Sequence, residues 1–414
     1  MKTITRTVWI LSLVSLFTDM ASEMLYPIMP IYLESIGFSI LLIGVLEGLV
    51  EAVAGISKGY FGQLSDSKAK RAPFVQLGYS LSALSKPMMA FFVYPLWIFF
   101  VRTTDRLGKG IRTGARDAML SAETNRENKG KVFGFHRSMD TFGAVLGPAL
   151  ALLYLYFYPE DYIHLFYIAF IPGMLAVIAS FLLKDKKVET TPENHASRQA
   201  VKKISFLSFI TYWKQSPSEY RKVVIGLLLF ALFNSSDVFL LLKAKDAGLD
   251  DTWVIGIYIF YNLIYALTAF PLGSFADKIG LKKMFLFGLI IFSLVYFGMG
   301  LTTNLYAIIA LFFGYGIFAA ATEGISKAWI TNISKDENTA TAVGTYSAFQ
   351  SIVTMFASVV AGLLWFYFGA SVTFFVTAIA TIFVIIYFLG SFSASPDIFS
   401  QTCLPDRQSR KAPK

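Results

Sequence analysis

Gly62-Gln63-Leu64-Ser65-Asp66-Ser67-Lys68-Ala69-Lys70-Arg71 recurs 211 residues later as Gly273-Ser274-Phe275-Ala276-Asp277-Lys278-Ile279-Gly280-Leu281-Lys282-Lys283, and both copies sit between long apolar stretches. The register extends beyond these loops. Gly37 maps onto Gly248 at the same spacing, and Gly134 onto Gly344 with one residue lost. A membrane chain whose halves run in parallel register can place a site between them and rock one half against the other.

Composition supports lipid as the solvent. Of 414 residues, 55% are hydrophobic and 15% charged, whereas soluble chains carry about 25% charged residues. A run near 20 apolar residues spans about 30 Å of hydrocarbon as helix, and unpaired backbone groups in lipid leave only a closed barrel as the alternative. The alternation a barrel needs is absent, so an all-α membrane protein is expected. Cys403 is the single cysteine and His136, His164 and His195 lie at unrelated places, so neither disulfide nor metal chemistry is predicted and no cofactor is expected. The net charge of +9 does not indicate nucleic acid, because the basic residues gather in alternate loops.

Apolar runs predict spans near 8–33, 40–63, 73–93, 96–118, 130–157 and 162–183, then 222–243, 252–275, 281–301, 304–330, 338–367 and 371–394. The expected fold is therefore twelve transmembrane helices in two pseudo-symmetric six-helix bundles, 1–183 and 222–394. A polar linker, 184–221, joins them, and 395–414 forms a tail. Within the linker, Ile204 to Trp213 is expected to lie along the bilayer surface as an amphipathic helix. Lys2 and Arg6, the 62–71 loop, Arg126 to Lys131, the linker, the 277–283 loop, Lys335 and the Arg407–Lys414 tail all fall on one side. Positive loops stay in the cytoplasm, which predicts that both termini and the linker are cytoplasmic.

The doubled loop resembles the signature of the major facilitator superfamily, with the second copy the nearer match and Ala69 standing where the family has Gly. Arg102 in span 4, and Gly134, Gly143, Gly147 and Pro148 in span 5, are similar to two further motifs, the second of them the antiporter motif. The runs Ser22-Glu23-Met24-Leu25-Tyr26-Pro27 and Asp105-Arg106-Leu107-Gly108-Lys109-Gly110-Ile111-Arg112 look like a bacterial and archaeal branch of this family. The resemblance covers about residues 8–394. It implies alternating access, a multi-pass protein of the bacterial inner membrane, a monomer, and a small-molecule substrate coupled to protons. It also implies that Asp66 and Asp277 latch the outward-facing state, with Gly62 and Gly273 permitting close helix approach. Arg71 and Lys283 close the two motif copies. Arg112 and Arg116 are the expected partners of Asp66, and Lys327 that of Asp277.

Ionisable groups within a bilayer are costly, so they face a cavity or a partner and are functional candidates by default. Asp19 and Glu23 in span 1, and Glu47 and Glu51 in span 2, are i,i+4 pairs on single helix faces. At 1.5 Å per residue, Asp19 and Glu51 lie roughly 16 Å deep. These four acids, read as unpaired, are the proton-coupling candidates. A carboxylate in a low dielectric is pushed towards protonation, and a nearby Arg pulls it back, which suits loading and release. Arg102, Asp105, Arg106, Arg137 and Asp140 form a charge network in which Asp105 and Asp140 are expected to pair with Arg106 and Arg137. The competing reading makes every one of these charges a structural ion pair. In the second half Asn234, Asp237, Tyr258, Asn262 and Gln350 are candidates for substrate contact, although aromatic residues at helical spacing are more often packing. A proton-coupled exporter working by antiport is slightly favoured over an uptake symporter. A lipid or lysolipid flippase on the same scaffold is the other alternative. No nucleotide-binding Gly-rich motif and no nucleophile–base pair accompany these residues, so ATP-driven transport and enzyme activity are not expected.

Overall fold

The computed structural model describes residues 4–185, 208–234 and 237–391. The side chain of Glu47, most of the linker including His195, and the 395–414 tail with Cys403 lie outside the described residues. The first half comprises α1 (Arg6–Glu23), α2 (Met29–Ser35), α3 (Ile40–Ser67), α4 (Ala72–Met88), α5 (Pro95–Ala122), α6 (Lys129–Phe157) and α7 (Tyr162–Ser180). After α8 (Ser208–Gln215) come α9 (Ser218–Phe233), α10 (Val238–Asp246), α11 (Asp251–Ile279), α12 (Leu281–Leu301), α13 (Leu305–Ile333) and α14 (Thr339–Ser391). No strand occurs among the described residues. Gly369, at φ 82°, is non-helical inside α14 and divides it into two spans. Counting α1 with α2 and α9 with α10 as one span each, six spans form each half.

Span 1 was expected to run unbroken over 8–33. It breaks instead at Met24–Ile28, where a run of turns separates α1 from α2. The pseudo-equivalent break ends α9 at Asn234 and restarts the helix as α10 at Val238. Both short helices terminate at the glycines paired by the repeat, Gly37 at φ 90° and Gly248 at φ 104°, a left-handed conformation that costs glycine little. Side-chain caps start the helices that follow: Ser39 accepts from Leu42 N–H and Asp250 from Trp253 N–H. Seven described segments are long and apolar enough to cross a membrane, five of them in the second half. The first half falls behind because its helices carry charge, and α5 alone holds Arg102, Asp105, Arg106, Lys109, Arg112, Arg116 and Asp117.

The two halves approach most closely along α3 with α14 and along α6 with α11. Both contacts are built on the repeated motif. A Cβ on Gly62 would strike the Ala340 carbonyl and crowd Gly344, and one on Gly273 would strike the Gly130 carbonyl and crowd Gly134. The two crossings are therefore copies of each other, and only residues without a side chain let the backbones meet. These contacts all lie towards the end carrying loops 68–71 and 334–338, here termed the motif end. There α8 also bridges the halves. Phe209, 2% exposed, packs on Gly59 of α3 and against Phe349 of α14, so this linker helix is held by protein as well as facing outward through Ile210.

Gly62→Val is expected to destabilise the closed interface by about 1–3 kcal/mol through overpacking. Gly48→Ala, where no atom lies within 4 Å of an added Cβ, is expected to leave stability unchanged or raised. Thermal unfolding of the two variants in detergent measures the difference.

Candidate functional site

On α1, Ser15, Asp19 and Glu23 follow at four-residue intervals and share one face. Ser15 donates to Asp140 of α6, and Glu23 accepts from Tyr258 of α11 at 2.8 Å. Asp19, between them, makes no hydrogen bond or ion pair among the described residues. Facing this stripe, α5 presents Arg102, Arg106 and Lys109. Ser22, Glu23, Tyr26, Lys86, Arg102, Asp105 and Arg106 line an open cavity of about 430 Å³, counting the part that opens to solvent. These residues belong to the end of α1 and the turn that follows it, the last turn of α4 and the early turns of α5, so the cavity lies away from the motif end.

Several expected pairings are replaced by others. Asp105 lies beside Arg106 in sequence, yet its ion pair is with Lys86 of α4 at 2.9 Å, because α4 and α5 pack along this face. Glu51, expected to be unpaired, stands 3.7 Å from Lys58 and 3.8 Å from Arg106. Asp140 does pair with Arg137, at 2.6 Å, and Arg137 reaches across the interface to Tyr265 and to Glu323 at 2.8 Å. In the second half Asp237 accepts from Tyr261 and Tyr315. Asn262 is buried and donates to the Tyr258 carbonyl of its own helix, which removes its amide nitrogen from the cavity. Gln350 is half-buried on α14, and Asn234 caps the end of α9 with its side-chain oxygen buried and without a partner among the described residues.

The motif carboxylates also find partners other than those expected. Asp66 accepts from the backbone N–H and hydroxyl of Thr341 at 2.7 and 2.8 Å, and from Arg71 at 3.3 Å. Asp277 accepts from the N–H groups of Gly130 and Lys131 at 2.7 and 2.8 Å. Each acid thus sits on first-turn amides that have no partner within their own helix, in the opposite half, where the helix dipole favours negative charge. Arg112 is instead occupied with Ser82 at 2.7 Å and the Tyr79 ring, and exposed Lys283 takes no part among the described residues.

Arg116 and Lys327, expected on Asp66 and Asp277, meet instead at an acid that sequence reading passed over. Asp117, fully buried, bridges Arg116 at 2.9 Å and Lys327 of the opposite half at 3.0 Å. Lys129 donates to Ser121 and to the Thr331 carbonyl, and Lys58 to Ser351, tying the halves further. His136 lies beside this cluster, 3% exposed, with neither ring nitrogen bonded to a described residue. Asp117 stands five residues inside the motif end of α5 and looks solvated in sequence; only the crossing of α5 with α13 encloses it.

The sequence matches the profile of the Major Facilitator Superfamily over residues 11–262 and 244–398. An MFS-type transporter of Methanocaldococcus jannaschii is 33% identical over 370 residues, covering 88% of this chain and 89% of that one. The multidrug resistance protein MdtH of Edwardsiella ictaluri is 22% identical over 295 residues, 69% of this chain and 68% of its own. In fold, the human organic anion transporter MFSD10 superposes with a TM-score of 0.75 at 15% identity, over 92% of this chain and 99% of that one. The E. coli fucose:proton symporter gives 0.74 at 12% identity, over 94% and 98%. The chain belongs to the major facilitator superfamily: it is a multi-pass membrane transporter, not an enzyme.

Removing one member of a buried ion pair leaves its partners charged and desolvated, which costs about 3–5 kcal/mol. Asp117→Asn is expected to unfold at lower temperature by that order, and Lys327→Met added to it should recover part of the loss. A double-mutant cycle on detergent-solubilised protein measures the coupling.

Proposed function

We propose that this protein is a proton-coupled secondary transporter that exports a small organic solute by antiport. Asp19 carries the reading. It is an acid in the middle of span 1 with no partner among the described residues, and such a group in a bilayer belongs in a water-reachable cavity. Glu23, one turn away, is held only by the neutral hydroxyl of Tyr258 among the described residues, and the Tyr26 and Tyr258 rings stack beside it at 6.4 Å. A proton and a cationic group of the solute would compete for these two carboxylates, with the aromatic faces adding attraction for the cation. Competition for one site, exposed to each compartment in turn, is what antiport requires. Glu51 and Asp105, already paired with bases, are held as structure in this reading.

With the motif end in the cytoplasm, as the basic loops indicate, the present conformation is closed to the cell interior and its cavity faces outward. Asp66 and Asp277 hold that state by their grip on α14 and α6. Proton entry at Asp19 and Glu23 from outside, followed by release of the interface, would return the carrier to face the cytoplasm.

Asp19→Asn and Glu23→Gln are expected to abolish substrate movement driven by a pH gradient in proteoliposomes while leaving substrate exchange measurable. Full coupling retained in both variants would remove the proton assignment. Asp66→Asn weakens charge-assisted hydrogen bonds worth about 1.5–3 kcal/mol. It is expected to raise the reactivity of cysteines placed on the cytoplasmic side of α3 and α14 about ten-fold or more, as read by maleimide labelling.

A further inference from the structure

The antiport reading assigns the acids of the cavity and leaves α5 unused. Arg102, Arg106 and Lys109 follow at intervals of four and three residues, so all three positive charges stand on one face of that helix. Lys109 lies at the midpoint of α5 (Pro95–Ala122), the most expensive depth for an ammonium group. It is exposed, and its ammonium group makes no hydrogen bond or ion pair with any described residue, the Thr113 hydroxyl being bonded to its backbone carbonyl. The acids in electrostatic reach, Asp19, Glu23 and Glu51, attract it from beyond contact distance. Every other pairing in this region is closed: Lys86 on Asp105, Arg137 on Asp140, Lys58 beside Glu51. An open lysine at the bilayer centre, continuing a cationic stripe that lines the cavity and opposing an open carboxylate, has the layout of a two-ended site.

We infer that Lys109, with Arg106 above it, is the receptor for a carboxylate or phosphate group, so that the transported solute is dipolar: its cationic end lies at Asp19 and Glu23 and its anionic end at Lys109. This rests on the antiport reading for the cationic end alone. The anionic subsite stands on α5 and holds whether or not protons drive the carrier. Both open charges of the resting protein are neutralised when such a solute binds, and a solute with one charge leaves the other bare.

The test uses the purified full chain in detergent, followed by thermal unfolding with inorganic phosphate as probe and chloride at matched ionic strength as control. Saturable protection by phosphate is expected in the wild type. Lys109→Gln should weaken its apparent affinity about ten-fold or more, equivalent to roughly 1.4 kcal/mol, whereas Lys109→Arg and Asp19→Asn should keep it. Equal unfolding temperatures of the variants without phosphate show that the fold is intact. Absence of saturable protection in the wild type, or the same phosphate midpoint in Lys109→Gln, overturns the subsite. Phosphoethanolamine, which carries both charges, should protect at lower concentration than phosphate, and that gain should vanish in Asp19→Asn. Protection by a lysophospholipid bearing the same headgroup, with none from the soluble compound, would overturn the soluble dipolar solute in favour of a lipid. Failure of the pH-gradient experiment on Asp19→Asn touches only the proton assignment, so the two readings fail separately.

Discussion

A carboxylate set on the first amides of a helix in the opposite half is the contact from which the rest of this structure follows. It occurs twice, at Asp66 with Thr341 and at Asp277 with Gly130 and Lys131. Helix starts leave N–H groups unsatisfied and partially positive, so an acid there satisfies donors and dipole together. Because the anchors use backbone groups, they demand that the helices come within backbone distance, which is why Gly62 and Gly273 have no side chain. Once the motif end is drawn together in this way, the acids and bases farther along α1, α5 and α6 are left around a space that opens at the other end.

Charge is distributed unevenly along that axis. Near the motif end it is buried and fully answered, as in Asp117 with Arg116 and Lys327. At mid-depth it is open, as in Asp19 and Lys109. A buried pair adds little net stability relative to apolar packing but penalises any state that separates its members. The cluster therefore favours a defined closed arrangement over intermediate ones. The second half answers the same need with neutral donors, for Asp237 rests on two tyrosine hydroxyls where the first half uses arginine and lysine.

The doubled motif, the halves and the helical class were legible in the sequence because they depend on spacing and on runs of apolar residues. The pairing of Gly37 with Gly248 even marked the two places where short helices end. What the sequence did not disclose was rotation. In a helix as charged as α5 no single face reads as the core, so Asp105 was assigned to its neighbour Arg106 when the packing of α4 delivers Lys86 instead. The breaks in spans 1 and 7 were hidden for another reason. Met24-Leu25-Tyr26 is apolar and continuous in hydropathy, and Pro27 and Pro30 were absorbed into a span long enough to seem complete. Asp117 escaped notice because a charge near a helix end is ordinarily solvated.

The interruption of span 1 leaves α2 as a separate short leaf beside the cavity, which its Met29 helps to line, joined to α1 by the turn residues Met24–Ile28 and followed by the left-handed Gly37. A leaf on so short a joint can change its angle by rotation at a few backbone bonds while the long helices stay still. Its movement needs only those few dihedrals to change, whereas parting the halves means undoing both glycine crossings.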